Sequence, residues 1–178
     1  MALEHAILVS LAERSASGYD LARRFDKSIG HFWNASHQQI YKVLGRMESE
    51  KWVASDLVAQ DGRPDKRVYA VTEEGRDELM RWSREPAAIE PLRSEFAVKM
   101  RGLAHVDQSA VVRDIRERRA VFQALLEFYR SDVARNFPNP TALSDSQVGP
   151  YMVLRGGIYG AEGEIAWCDE SLALLVRR

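Results

Sequence analysis

The sequence predicts a mainly α-helical protein with one small β-hairpin, in which an N-terminal winged helix-turn-helix precedes an all-helical domain. Three observations predict this fold class. Apolar residues recur at helical spacing in three short segments before residue 50. Two β-rich runs follow, at residues 52–58 and 67–72, with turn residues between them. After Pro86 and Pro91 the pattern is helical, so we expect one domain at 1–85 and another at 86–178.

The composition sets limits on the function. With 178 residues, 46% apolar and 29% charged, the chain can form one large or two small domains with a buried core. Its single cysteine excludes a disulfide framework and a cysteine-based zinc finger, and it fits a reducing cytoplasm. No apolar run reaches the ~18 residues of a membrane span, and the N-terminus lacks a signal-peptide pattern. The net charge of −1 does not favour nucleic acid, so a nucleic-acid function depends on where the cations lie.

Each N-terminal element has a local signal. The first helix is apolar on every side, which indicates burial, and after turn-forming residues Ser17 caps the second helix. The third helix begins with Ser36-His37-Gln38-Gln39, a capping-box pattern. Its inner face is predicted to consist of Ile40, Leu44 and Met47. The hairpin has a charged tip at residues 59–66, and Thr72 caps a fourth helix.

The second domain is predicted to contain a short segment at 92–101 and a long helix that begins near Asp107 and ends at Phe137. In the last segment, apolar residues alternate spacings of three and four, which predicts a dimer interface. This apolar seam consists of Tyr151, Leu154, Ile158, Ala161, Ile165, Cys168, Leu172 and Leu175. Glycines in the same segment suggest the close approach of another backbone, and a helix break near Gly156-Gly157 is the alternative.

No catalytic or metal-binding pattern occurs in the sequence. The histidines lack HExxH spacing, and no G-x-S-x-G, Walker A or G-x-G-x-x-G motif is present. Cys168 falls on the apolar seam, so we expect a buried thiol rather than a nucleophile. The sequence therefore predicts a protein that is not an enzyme and has no metal or other cofactor.

The outward face of the third helix carries groups that suit DNA. Polar side chains at its first turn have donors and acceptors for base edges. Cations follow on the same helix, and no acid occurs from residue 28 to residue 47. The predicted β-hairpin, which forms the wing, adds three cations that suit phosphates or the minor groove. The predicted DNA-contacting residues are Ser36, His37, Gln38, Gln39, Lys42, Arg46, Arg63, Lys66 and Arg67. The alternative is an ordinary solvated helix face.

Four stretches, taken in order, resemble the PadR family of bacterial transcriptional regulators. They are Ile7-Leu8-Val9-Ser10-Leu11, Ser17-Gly18-Tyr19-Asp20-Leu21, residues 39–48 and residues 62–75. The second half resembles the C-terminal domain of the virulence-activator (AphA-like) branch at residues 91–99 and 156–167, so the likeness covers the full chain. One departure is Glu50-Lys51-Trp52, where many members carry glycine or an apolar residue, and there the turn into the wing is expected to differ.

The resemblance implies a homodimer that pairs through its C-terminal helices and acts at a palindromic operator. It also implies DNA contacts from Tyr19, Tyr41, Lys42 and the wing cations. Some family members bind a flat aromatic effector, and this chain has aromatic candidates for such a pocket. They are Trp33, Trp82, Phe96, Phe122, Tyr129 and Trp167, of which we assign Trp82, Phe96, Phe122 and Trp167. The alternative is that these rings belong to the core, and nothing in the sequence names a ligand.

We therefore expect a cytoplasmic transcriptional regulator, a repressor rather than an activator, whose partners are double-stranded operator DNA and a second copy of itself. The alternative from another class is a winged-helix protein-interaction module, in which the third helix docks a protein. Steep loss of duplex binding with added salt would indicate DNA. Absence of duplex binding at low salt would indicate the interaction module.

Overall fold

Helices alternate with short strands in the N-terminal unit. The computed structural model describes residues 2–27, 35–60, 63–87 and 93–176, without the side chains of residues 2, 26, 27, 60, 63, 64 and 176. The chain divides into two units, residues 1–90 and 91–178. The described elements of the first unit are α1 (Ala2–Glu13), β1 (Ala16–Ser17), α2 (Gly18–Lys27), α3 (His37–Ser49), β2 (Val53–Gln60), β3 (Arg63–Val71) and α4 (Glu73–Ser83).

The described strands form one antiparallel sheet in the order β1-β3-β2. β2 and β3 make the predicted hairpin, with Val53 opposite Val71 and Val58 opposite Lys66. The strands are longer than expected, because main-chain pairing continues through the polar residues that we assigned to the tip. The tip of the hairpin is polar and has no alternation of apolar residues, so the apolar pattern underestimates the length of its strands.

Residues 14–18 have the composition of a turn, but Ala16 and Ser17 form strand β1. They pair with Tyr69 and Val68 and so join the start of α2 to the base of the wing. A strand of two residues is too short for any alternation to reveal it. Ser17 nevertheless caps α2 as predicted, since its Oγ accepts a hydrogen bond from the Asp20 N–H at 3.1 Å.

One apolar core joins the helices of this unit to the base of the wing. Ile40, Leu44 and Met47 are fully buried, which confirms the predicted inner face of α3. The buried side chains around them include Ile7, Leu8, Leu11, Leu21, Phe25, Val53 and Tyr69. Because burial fixes this face of α3, the opposite face is presented to solvent.

The second unit contains, in its described part, α5 (Glu95–Arg101), α6 (Gln108–Asn136) and α7 (Asp145–Val176). Asp107 caps α6 and Phe137 ends it, as predicted. α7 is one helix of 32 residues that continues through Gly156-Gly157, so the alternative of a break there is wrong. Among the described helices, none has the length and apolar character needed to cross a membrane.

The apolar seam of α7 has a partner within its own chain, helix α6, while the role that we expected for it in a dimer interface stays a prediction. Ile158 and Ala161 are buried with Leu126 and Tyr129 of α6. Cys168 of α7 is buried with Val111 and Ile115, which also belong to α6. The remaining seam residues also contact this unit: Leu154 and Ile165 beside the first cluster, Leu172 and Leu175 beside the second, and Tyr151 against Phe137. Heptad spacing shows that a helix has a partner, but it does not show which chain supplies that partner.

Candidate nucleic-acid interface

The first turn of α3 is fixed by the predicted capping box. The Gln39 N–H donates to Ser36 Oγ at 3.3 Å, and the Ser36 N–H donates to Gln39 Oε1 at 2.9 Å. This satisfies main-chain donors that a helix start leaves without partners. It also restricts the predicted role of Gln39 in reading bases, because its amide oxygen already accepts a hydrogen bond. His37 and Gln38 are exposed beside it.

The outward face of α3 meets the start of α2 at two tyrosines. Tyr41 is about half exposed, and its ring lies over Gly18 so closely that a Cβ there would be 2.3 Å from Cε1. A Cβ at position 18 would therefore require the Tyr41 ring to shift. Tyr19 is exposed, with the Arg23 guanidinium 5.9 Å from its ring centre. Lys42 is exposed on the same side of α3.

Arg46 has a different setting from Lys42. Its guanidinium makes an ion pair with Glu4 of α1. The arginine is half exposed, whereas the carboxylate is mostly covered. Arg46 therefore joins α3 to α1, and a DNA contact would have to share its charge with Glu4.

The wing cations are also held by carboxylates. Lys66 Nζ lies 2.5 Å from Asp20 Oδ2. Arg67 Nη2 donates to both Glu48 oxygens at 2.8 Å, and its Nε donates to Ser55 Oγ at 2.6 Å. The side chain of Arg63 lies outside the described part. The structure thus places Lys66 beside Asp20 of α2 and Arg67 beside Glu48 of α3.

An open groove runs between α2, β3 and α3. Its two adjoining parts have volumes of about 540 and 560 Å³ and share Ser17, Asp20, Arg23 and Lys66. Arg14 and Arg24 line one part, and the Arg24 guanidinium donates to the main-chain oxygens of Ser10, Arg14 and Ser15. Sequence reasoning missed Arg14, Arg23 and Asp20. The only signal for Arg23 was its position one helical turn after Tyr19.

The lysine at the departure from the family pattern lies in the turn from α3 into the wing. Lys51 has a φ of 62°, the left-handed region. The Lys51 N–H donates to the Glu48 oxygen at 3.1 Å, and the Trp52 N–H donates to the Met47 oxygen at 2.8 Å. These two bonds are those of a Schellman motif, so the turn keeps a common helix ending without glycine.

The predicted effector residues do not form one group. Phe96, Phe122 and Trp167 come together in the second unit, where Arg118 lies 4.8 Å from the Phe96 ring centre and 5.1 Å from that of Phe122. Glu164 binds Arg118 through two contacts of 2.8 and 2.9 Å. Trp82 belongs to the first unit and stacks on buried His5, with ring centres 4.6 Å apart. Trp33 lies outside the described residues.

Titratable groups elsewhere give no sign of a metal site or a reactive thiol. No group of three or more histidine, cysteine or acidic residues is placed to hold a metal within the described ranges. Cys168 is buried against α6, and burial raises the pKa of its thiol. A raised pKa disfavours the thiolate, which is the reactive form.

Comparison with known proteins identifies the family. The model of the transcriptional regulator PadR-like family matches residues 7–81, and the model described as virulence activator alpha C-term matches residues 92–176. The probable transcriptional regulator Rv1176c of Mycobacterium tuberculosis is 47% identical over 180 residues, covering 96% of this chain and 95% of the relative. This chain belongs to the PadR-like family. It is a transcriptional regulator by family, which confirms the expectation that it is not an enzyme.

Solved structures of PadR-like proteins match almost the full length of this chain. Bacillus subtilis PadR in complex with operator DNA has a TM-score of 0.87 and 25% identity, covering 98% of this chain and 99% of that chain. The Vibrio cholerae virulence activator AphA has a TM-score of 0.81 and 31% identity, covering 98% of both. The predicted fold class, a winged helix-turn-helix with a helical second domain, is confirmed.

Proposed function

We propose that this PadR-like regulator binds a palindromic operator as a homodimer, with residues 1–85 contacting DNA and residues 86–178 pairing the two copies. One observation carries the proposal: the chain aligns over almost its full length with a relative solved on operator DNA. The geometry of α3 supports it, because its inner face is buried in the core and its outer face is polar and exposed. A helix held in this way can enter the major groove.

The exposed residues take different roles in this proposal. His37 and Gln38, at the start of α3, read base edges. Lys42 neutralises phosphate, as do the wing cations Lys66 and Arg67. The remaining proposed contacts are Ser36 and Gln39 through the capped first turn, Tyr19 and Tyr41 beside the groove, Arg46 beside Glu4, and Arg63 in the wing.

The dimer is proposed to use the face of α7 opposite the apolar seam. Met152, Tyr159 and Leu174 are each more than half exposed. A Cβ added at Gly156, Gly160 or Gly163 would meet no atom within 4 Å, whereas one at Gly157 would lie 2.9 Å from the Tyr129 ring. The open glycines, spaced by four and three, define a smooth stripe on which a second backbone can lie.

We also propose that the protein represses its targets in the cytoplasm. Bacillus subtilis PadR, 28% identical over 97% of both chains, is named a negative transcriptional regulator. A flat aromatic effector, if bound near Phe96, Phe122 and Trp167, would have to displace the contacts that these rings make with one another and with Arg118. Such displacement would couple ligand binding to the packing of the second unit.

Genomic binding-site mapping followed by duplex titration tests the DNA function. The purified protein is expected to bind its mapped site with an affinity that falls steeply as salt is added. Lys42→Ala should weaken specific and random duplexes alike and lower the salt slope by about one unit at most. Absence of duplex binding at low salt would overturn the proposal and favour a protein-interaction module.

A further inference from the structure

Two acidic residues of the DNA-binding unit have no place in a simple account of phosphate binding. Asp20 belongs to the Ser17–Leu21 stretch at the start of α2, and Glu48 lies in the last turn of α3. Both carboxylates lie beside the groove and the wing, where cations are expected to meet the DNA backbone. A negative charge there repels phosphate, so its presence needs a physical reason.

Each of these carboxylates lies on a helix and makes an ion pair with one cation of the wing. Ser17 Oγ donates to Asp20 Oδ2 at 2.9 Å, and that oxygen is also 2.5 Å from Lys66 Nζ. The Lys66 ammonium, followed by the Ser17 hydroxyl, holds the pKa of Asp20 below its usual range. Asp20 is therefore ionised at neutral pH and holds Lys66 against the first turn of α2.

The second pair joins the wing to α3 with a defined geometry. Arg67 donates through Nη2 to both oxygens of Glu48 at 2.8 Å, and Ser55 Oγ donates to Glu48 Oε1 at 2.6 Å. Arg67 Nε also donates to Ser55 at 2.6 Å. Ser55 lies on β2, two positions beyond the start of the strand, so both strands of the wing are connected to α3.

Neither pair uses all the hydrogen-bond donors of its cation. An ammonium has three N–H donors, and the contact with Asp20 engages one of them. Within the described residues, the contacts of Arg67 with Glu48 and Ser55 employ Nη2 and Nε but not Nη1. Both cations can therefore donate to a phosphate while their acidic partner keeps them in place.

We propose that Asp20 and Glu48 are positioning residues for DNA binding, which hold Lys66 and Arg67 of the wing where the phosphate backbone meets the helix-turn-helix. This inference rests on the proposed DNA-binding function and adds to it a role for residues that touch no DNA. In this proposal Lys66 and Arg67 are not free side chains. The carboxylates of Asp20 and Glu48 fix the positions of their charged groups.

The test is whether removing the charge of Asp20 or Glu48 weakens or tightens binding to the operator. If these carboxylates only repelled DNA, Asp20→Asn and Glu48→Gln would tighten binding. If they position the wing, both variants should weaken it, by about three- to fivefold, the upper part of the range for exposed ion pairs. Asp65→Asn and Asp56→Asn are matched controls, because both acids are exposed on the wing and neither carboxylate makes a hydrogen bond or ion pair within the described part of the chain. The controls should bind as the unchanged protein does or slightly more tightly.

A double-mutant cycle separates positioning from a general loss of structure. Asp20→Asn is measured again in a Lys66→Gln background, and Glu48→Gln in an Arg67→Gln background, with melting curves for every variant. The affinity loss should disappear in both backgrounds, and Asp20→Glu should retain binding. A loss that persists without the cation, or tightening equal to that of the controls, would overturn the inference. If the unchanged protein binds no duplex, it is the proposed DNA function that fails.

Discussion

At position 51 a lysine adopts a backbone conformation that favours glycine. Its φ of 62° costs a residue with a Cβ about 1–2 kcal/mol. Lys51→Gly should therefore raise the free energy of unfolding by about 1 kcal/mol, once the larger freedom of glycine in the unfolded chain is deducted. Denaturant unfolding measures the change, with Lys51→Ala as the control that keeps the strain. Equal stability of the two variants would contradict the prediction.

A second residue-scale effect depends on pH. Glu78 of α4 accepts hydrogen bonds from Arg81 at 2.6 Å and lies 2.9 Å from Nε2 of buried His5. Arg81, with a smaller contribution from His5, lowers the pKa of Glu78 from 4.5 to about 2. Because the folded pKa is below the unfolded one, this carboxylate stabilises the fold above pH 4.5, and the contribution is lost as the pH falls towards 2.

Glu78→Gln should accordingly be less stable than the unchanged protein near neutral pH, and the difference should shrink as Glu78 becomes protonated. Chemical unfolding at several values between about pH 7 and pH 2 measures that difference. Glu74→Gln, in the first turn of the same helix and exposed, is the control for loss of a negative charge. A gap between Glu78→Gln and the unchanged protein that stays constant down to pH 2 would show that the ion pair is not its cause.

At the scale of the element, the first turn of α3 separates readout from stability. Gln39 completes the capping box, whereas Gln38 makes no hydrogen bond within the described residues. Gln39→Ala should cost about 0.5–1 kcal/mol of stability, and Gln38→Ala should leave melting unchanged. Gln38→Ala should instead reduce discrimination between operator and mismatched duplex by ~1–3 kcal/mol. Melting curves beside a competition assay test both, and a destabilised Gln38→Ala with full discrimination would reverse the two assignments.

The sequence predicted those elements whose signals are local. The capping box lies within four residues, and the inner face of α3 repeats within three turns, so both could be recognised before the fold was known. The pairing of Ala16 with Tyr69 and the contact of Asp20 with Lys66 join residues about fifty positions apart. No periodicity encodes such contacts, which is why strand β1 and the carboxylate partners of the wing were not predicted.

At the scale of the whole molecule, α7 has two different faces, and the sequence assigned the dimer interface to the apolar one. The apolar seam has strong periodicity, and it packs on α6 of the same chain. The opposite face consists of glycines and scattered exposed apolar residues, a weaker pattern that heptad reasoning does not detect. We therefore expect substitutions on the seam to lower the stability of the fold, and substitutions on the opposite face to prevent dimerisation.

Variants on the two faces should separate stability from assembly. Ile158 is only 4% exposed, so Ile158→Ala should cost roughly 2–5 kcal/mol through the cavity that it leaves, and Ile158→Asp should unfold the second unit. Met152 and Leu174 are 64% and 61% exposed, so a Met152→Glu, Leu174→Glu double variant should melt normally. It should nevertheless dissociate into monomers, because the double change would place four negative charges in the proposed interface, where burial without a cationic partner is unfavourable.

Light scattering at micromolar concentration reports the mass, and operator titration reports the consequence, since a monomer contacts one half-site and loses affinity. The matched control is Val98→Glu, a change of the same kind at an exposed position on α5. That variant should remain a dimer and bind the operator normally. If the Met152→Glu, Leu174→Glu protein stays dimeric while Ile158→Asp gives folded monomers, the interface lies on the seam and the face assignment must be exchanged.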